Sequence, residues 1–319
     1  MTLQHYSPSH KNEWDVFVQN AKNSHFFFCR DFMEYHKDRF NDYSLIFYDS
    51  KNRVIALLPA CIKNSTVYTH AGLTFGGLVV SDRMTTPLML DIFDRLKTHF
   101  NNQNITDVVY KCSPYIYHTK ASEEDRYALF KNNATLIARN ITSTIYLQES
   151  IRYSKGRKWS TKKTYTDVLI KHTTELSQFW ELLTSVLQKR HNTQPVHSLQ
   201  EIIYLISKFP KHIHCYVLYQ NENLLAGALI FENPVIVHTQ YLAVNDKGKE
   251  IGALDLLLDY LIKKVYSNKK YFDFGISNEQ NGQVLNTGLI TQKEGFDARA
   301  VACDIYQWQL SKSLKNEEL

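Results

Sequence analysis

The sequence predicts an α/β (α+β) protein of two tandem halves, each a mixed, mostly antiparallel sheet flanked by helices. Apolar residues alternate with period two in short runs bounded by turn residues, and recur at helical spacing in longer ones. The order of these segments in the first half returns in the second at a nearly constant offset, the mark of a duplicated unit. At 319 residues and 44% apolar, the chain exceeds one ordinary core and suits two domains.

In the first half the spacing predicts helices over about 12–22 and 30–40. A hairpin of Tyr43–Tyr48 and Val54–Ile62 follows, turning at Asp49–Asn52, then a strand before the loop Ala71–Gly77. Next come a helix over Thr86–Phe100, a strand over Asp107–Cys112 and a Tyr-rich loop, Ser113–Tyr117. The second half repeats the series: helices over Glu175–Lys189 and Ser198–Lys208, then a hairpin of His212–Tyr219 and Leu224–Ile230 across Gln220–Asn223. A strand over Pro234–Val244, a helix over Gly252–Tyr266 and a strand over Tyr271–Gly275 close it. The boundary is placed in the basic stretch 150–163, dividing 1–149 from 150–319. Eleven glycines leave no long flexible linker.

A net charge of +5 is mildly basic, and Lys and Arg are spread along the chain rather than massed for nucleic acid. Small anionic substrates fit this balance; neither nucleic acid nor membrane is expected as a partner. The densest cluster, Lys155–Lys163, reads as a solvated linker helix or a phosphate contact. Cys29, Cys61, Cys112, Cys215 and Cys303 form no CxxC pair, and most sit in apolar, strand-like surroundings, so a reducing, cytoplasmic setting is expected. No run of 18 apolar residues and no basic-then-apolar leader is present.

The segment from Tyr241 to Ala253 is the most informative. An apolar strand passes through Gly248 and Gly252 straight into an amphipathic helix, and the unpaired N–H groups and dipole of such a helix start favour an anion such as a diphosphate. An ordinary strand-to-helix turn has the same signature.

The order of elements resembles the GNAT acyltransferases, and two such units in one chain resemble FemABX-like tandem GNAT proteins. The likeness is carried by His238–Asn245, Glu250–Leu257, Tyr271–Glu279 and Leu285–Phe296, and by the glycine-rich loop His70–Gly77. These segments are similar to the subgroup that includes nucleotide-sugar N-acyltransferases. Asp297 stands where that pattern has glycine.

The resemblance implies an acyl-CoA-dependent N-acyltransferase, its first half facing a nucleotide-linked amino sugar destined for surface polysaccharide (O-antigen or capsule, as in lipopolysaccharide biosynthesis), its second half facing acyl-CoA. The amine would attack the thioester directly. Pantetheine would run along Leu242, Ala243 and Val244, and Gly248, Lys249, Gly252 and Ala253 would cradle the pyrophosphate. Asp273 or Glu279 would accept the amine proton, and Tyr241 would donate to the leaving thiolate. The sugar nucleotide would meet His70, Thr74, Gly76, Gly77, Tyr115 and Tyr117, with His238 and Gln240 facing the cleft. No metal is expected. Two other readings stay open: a Fem-type transferase using aminoacyl-tRNA on a peptidoglycan precursor, and a catalytically silent tandem-GNAT binding protein.

Overall fold

The computed structural model describes residues 1–163, 165 and 167–310. The chain forms two compact units: unit 1 comprises Met1–Asn140, Asn281–Gln283 and the stretch from Ala302, and unit 2 comprises Ile141–Gln280 and Val284–Val301.

The elements run in order β1 (Thr2–His5), α1 (Lys11–Asn20), α2 (Arg30–Glu34), β2 (Asn41–Asp42), β3 (Leu45–Tyr48), β4 (Val54–Leu58), β5 (Cys61–Lys63), β6 (Thr66–Tyr68), β7 (Val79–Val80), α3 (Thr86–Asn102), β8 (Asp107–Lys111), α4 (Glu124–Lys131) and β9 (Thr135–Tyr146). They continue with α5 (Lys155–Lys162), β10 (Val168–Thr173), α6 (Ser177–His191), α7 (Leu199–Lys208), β11 (Ile213–Gln220), β12 (Asn223–Glu232), β13 (Ile236–Val244), α8 (Asp246–Ile251), α9 (Ala253–Tyr260), β14 (Tyr271–Ile276), β15 (Asn278–Glu279), β16 (Val284–Leu285), α10 (Thr287–Glu294) and β17 (Arg299–Gln309).

In unit 1, β1-β3-β4-β7 form an antiparallel sheet, and β8-β6-β5-β2 a second series with the end of β17 on β8. The helix α3 shows why sequence periodicity worked. Met89, Ile92, Phe93, Leu96 and Phe100 form one buried stripe, Thr85 accepts a hydrogen bond from the Leu88 N–H, and Pro87 sits in the first turn. The stripe joins a core that holds Leu45, Phe47, Val67 and Trp308.

Two expectations need correction here. The strand expected over 54–62 is two strands in different sheets, because Pro59 has no N–H for a ladder and ends β4. The helix expected over 30–40 stops at Glu34 and resumes as a single 3₁₀ turn, Lys37–Arg39. The break lets His36, stacked on Tyr35 with ring centroids 4.2 Å apart, turn into the interior beside His70 and Phe40.

In unit 2 the sheet order is β10-β11-β12-β13-β14-β9. The hairpin β11/β12 turns at Asn221 and Glu222, both left-handed (φ 47° and 64°), the backbone twist a two-residue hairpin requires. Ser198 and Glu201 form a capping box that starts α7. The helix expected over 252–266 is α9 closed by one π turn, Leu261–Val265. Gly252, at φ +75°, is the left-handed hinge between α8 and α9, a conformation glycine adopts with no Cβ penalty.

Candidate active site

The site grows from how β13 leaves its neighbours. It pairs with β14 in parallel through Ile236↔Tyr271, Val237↔Phe272 and His238↔Asp273, and no further. On its other side Thr239 pairs with Ile230 and Tyr241 with Leu229, so Gln240 is the extra residue of a β-bulge, which bends the strand at this point. Beyond the last rung lies a cavity of about 220 Å³. Leu242 and Val244 of β13 and Phe274 of β14 line it, with Leu254 and Leu258 of α9 and Phe296 beyond α10. Two cationic side chains reach its wall, Arg190 from α6 and Lys293 from α10.

A carboxylate–histidine pair sits on that last rung. Asp273 is 1% exposed and accepts hydrogen bonds from Thr142 Oγ1 (2.5 Å), Thr144 Oγ1 (2.9 Å) and His238 Nδ1 (2.7 Å). Burial alone would raise its pKa, but the His238 and threonine hydrogen bonds outweigh it and hold the carboxyl below its ordinary value. An ionised carboxylate only accepts, so Nδ1 carries the hydrogen of this contact. Gly275 keeps the space beside the ring open, since a Cβ there would lie 3.1 Å from Cε1.

Lys293 is 8% exposed and donates to Gly275 O (2.9 Å), Ile276 O (2.7 Å) and Ser277 Oγ (3.0 Å). Burial lowers its pKa to about 8, while nearby Asp273 pulls the other way. Tyr241 accepts from the His197 N–H (3.3 Å) and lies 2.8 Å from His197 Nδ1, its ring edge-on to Trp180. Burial raises its hydroxyl pKa.

Of the residues expected to hold acyl-CoA, Leu242 and Val244 line the cavity and Ala243 is buried. The turn that follows is occupied by its own contacts. Asn245 Oδ1 accepts from the Gly248 N–H at 2.7 Å, and a Cβ on Gly248 would lie 2.7 Å from Leu225 O, so no side chain fits at that glycine. Lys249 pairs with Asp246, and Ala253 is fully buried. Beside Gly252, α5 lies against α9: Ser160 Oγ donates to Asp255 Oδ2 (2.6 Å) and Arg157 pairs with the same carboxylate. Glu279 is exposed and accepts from Asn286 Nδ2 at 3.0 Å.

The residues expected to meet the sugar nucleotide, other than His238 and Gln240, lie in unit 1. His70 is buried beside His36 and Phe40 at φ +59°, and burial pushes its pKa down to about 3. A Cβ on Gly76 would lie 1.9 Å from Thr69 O, and Gly77, at φ +84°, lies under Tyr110. Tyr117 is 4% exposed and packs on Phe75, whereas Thr74 and Tyr115 reach the surface. Asp297, at the glycine position, takes φ +71°, and its carboxylate accepts from the Arg152 N–H at 2.7 Å.

The sequence reading missed Thr142, Thr144, Lys293 and His197. Lys293 stood in plain view in Thr-Gln-Lys-Glu-Gly-Phe, a lysine followed within three residues by a buried phenylalanine.

No protein-family model matches the chain, and no curated protein matches it in sequence. Solved structures do match. FemX covers 97% of this chain and 97% of its own, with a TM-score of 0.68 at 10% identity. The C-terminal domain of a putative lysylphosphatidylglycerol synthetase from Agrobacterium fabrum covers 95% and 92%, TM-score 0.60 at 9% identity. A tandem GNAT protein from the clavulanic acid biosynthesis pathway covers 98% and 100%, TM-score 0.52 at 9% identity. The fold is therefore FemABX/GNAT-like, a mixed α/β architecture of mostly antiparallel sheets flanked by helices.

Proposed function

We propose that this chain is an N-acyltransferase that passes an acyl group from a CoA thioester to the primary amine of a nucleotide-linked amino sugar. One observation carries the reading: a mostly apolar cavity opens where two parallel strands part, and the last rung those strands share holds a buried carboxylate hydrogen-bonded to a half-buried histidine. The apolar walls suit the arm and acyl group of a thioester. His238 Nε2 takes a proton from the incoming amine, and Asp273 stabilises the imidazolium so formed. The amine nitrogen bonds to the carbonyl carbon, the C–S bond breaks, and the thiolate leaves to take a proton, for which Tyr241 is the donor in this scheme. The positive charge of Lys293 at the wall favours the oxyanion that develops on the way. Asp273 acts through His238 rather than on the amine.

The test joins binding to turnover. CoA at 100 times its dissociation constant should stabilise the protein by about 2.7 kcal/mol, and Leu242→Trp, which fills the cavity, should remove that gain. Acyl transfer from acetyl-CoA to a panel of nucleotide amino sugars then identifies the acceptor. No stabilisation by any acyl-CoA would sink the CoA reading.

A second reading draws support from the turn after β13. With Asn245 on the Gly248 N–H and α5 against the start of α9, a pyrophosphate has few open donors there. A Fem-type transferase taking an amino acid from aminoacyl-tRNA would need none. Transfer from charged tRNA by a protein indifferent to CoA would select it.

A further inference from the structure

We propose that the outer face of α5 docks this protein on an anionic lipid bilayer. Unlike the cavity, this face has no role in the scheme above, and the expectation of no membrane partner rested on the spread of charge and the lack of a long apolar run, neither of which bears on peripheral attachment.

From Ser150 to Thr166 the sequence has no acidic residue, while Arg152, Lys155, Arg157, Lys158, Lys162 and Lys163 all fall within it. The helix sorts this charge into two faces. Inward, Arg157 and Ser160 are fixed on Asp255, and the Arg157 guanidinium lies 4.7 Å from the Phe296 ring centroid. Outward, Lys155, Lys158, Trp159 and Lys162 fall at i, i+3, i+4 and i+7, one stripe, and all four are exposed.

Trp159 gives the stripe its meaning. It is 67% exposed, whereas Trp14, Trp180 and Trp308 are 0%, 7% and 2% exposed. Lys163 Nζ lies 3.7 Å from its ring centroid, so the indole is propped outward under a cation. An indole among lysines matches the boundary of an anionic membrane, where the ring enters the headgroup layer and the ammonium groups meet phosphates.

Three details favour a bilayer over a nucleic acid. The exposed cations on the stripe are lysines, which act as point charges, and the helix's single arginine, the fork that reads phosphate bidentately, is turned inward. The stripe is a convex helix face rather than a groove that tracks a strand. No second aromatic on α5 offers a stacking step. Among the described residues no helix is long and apolar enough to cross a membrane, so attachment is peripheral.

The experiment floats the full chain with vesicles of phosphatidylcholine alone or with one third phosphatidylglycerol. Selective capture by the anionic vesicles is expected, weakening in high salt. Lys158→Ala and Lys162→Ala should each weaken binding about fivefold, the equivalent of about 1 kcal/mol per lysine at an anionic surface. The exposed-tryptophan emission should shift to the blue on binding, and Trp159→Ala should abolish that shift. Because these side chains face solvent, unchanged thermal melts check that the variants fold. Equal capture by both vesicle types, or binding that ignores the substitutions, overturns the proposal. So does capture of a single-stranded RNA in place of vesicles with the same sensitivity.

Discussion

His238 Nδ1 lies 2.7 Å from Asp273 Oδ2 on the last rung joining β13 to β14, so the two residues are locked together where the sheet opens. Asp273→Asn presents an amide N–H to Nδ1 and moves the ring hydrogen to Nε2, the wrong tautomer for a base. Turnover should fall by about 10²–10⁴-fold with the Michaelis constant for the acyl donor little changed. Steady-state kinetics decide this; wild-type turnover in the Asn variant would remove the pair from the chemistry.

In unit 1 the Tyr110 hydroxyl donates to Asp125 Oδ2 (2.9 Å) and accepts from the Leu78 N–H (2.8 Å), tying the glycine loop to α4. Burial raises the Asp125 pKa to about 6, against the pull of Tyr110 and Arg126. A raised carboxyl contributes stability that is fully present below its unfolded value near 4 and is lost as pH climbs through about 6. Asp125→Asn keeps an acceptor for Tyr110 but lacks this titration. Between pH 4 and 7 the wild type should lose about 2 kcal/mol relative to the variant, read from denaturant titrations.

Lys293 has the opposite sign. Its pKa of about 8 is below the unfolded value of 10.5, so between these limits the unfolded chain holds the extra proton and stability rises with pH. Relative to Lys293→Met, the wild type should gain about 1–2 kcal/mol from pH 7 to 9.5. A flat difference would mean that the ammonium is better solvated than its three acceptors imply.

Gly248 and Gly252 should behave differently. Gly248→Ala drives a Cβ onto the Leu225 carbonyl and should cost about 1–3 kcal/mol by overpacking. Gly252 has room, the nearest atom being Ser160 Cβ at 3.4 Å, and is constrained only by its φ of +75°. Gly252→Asn should be nearly silent and Gly252→Val should cost about 1–2 kcal/mol. Denaturation midpoints compare the three.

The hairpin β11/β12 and the helix α3 were legible because alternation and a single apolar stripe survive in the letters. The long strands β9 and β17 were not: Leu136 and Ile137 are both exposed on β9, and Arg299 and Ala300 open β17 exposed, so no period-two signal forms. The helix α10 has no apolar stripe either, which hid Lys293. At the site, Asp273 was legible as a strand carboxylate. That it meets His238 depends on the register of two parallel strands separated by α8 and α9, and sequence spacing holds no record of register.

The extra residue at Gln240 makes the cavity a matter of parity. Side chains change sides at every step along a strand, so which of two neighbouring residues lines a wall depends on whether the count back to the last fixed rung is odd or even. Counted back from Leu242 to His238 the number is even, yet the bulge takes up Gln240, so Leu242 pairs with Ala228 and His238 with Phe231, on opposite faces of β12. Without Gln240 the same rungs, Ile230 with Thr239 and Leu229 with Tyr241, would follow one another in a regular ladder. A one-residue deletion should therefore remove the bend in the strand while leaving the histidine, its carboxylate and the apolar wall of Leu242 and Val244 on the faces they now occupy.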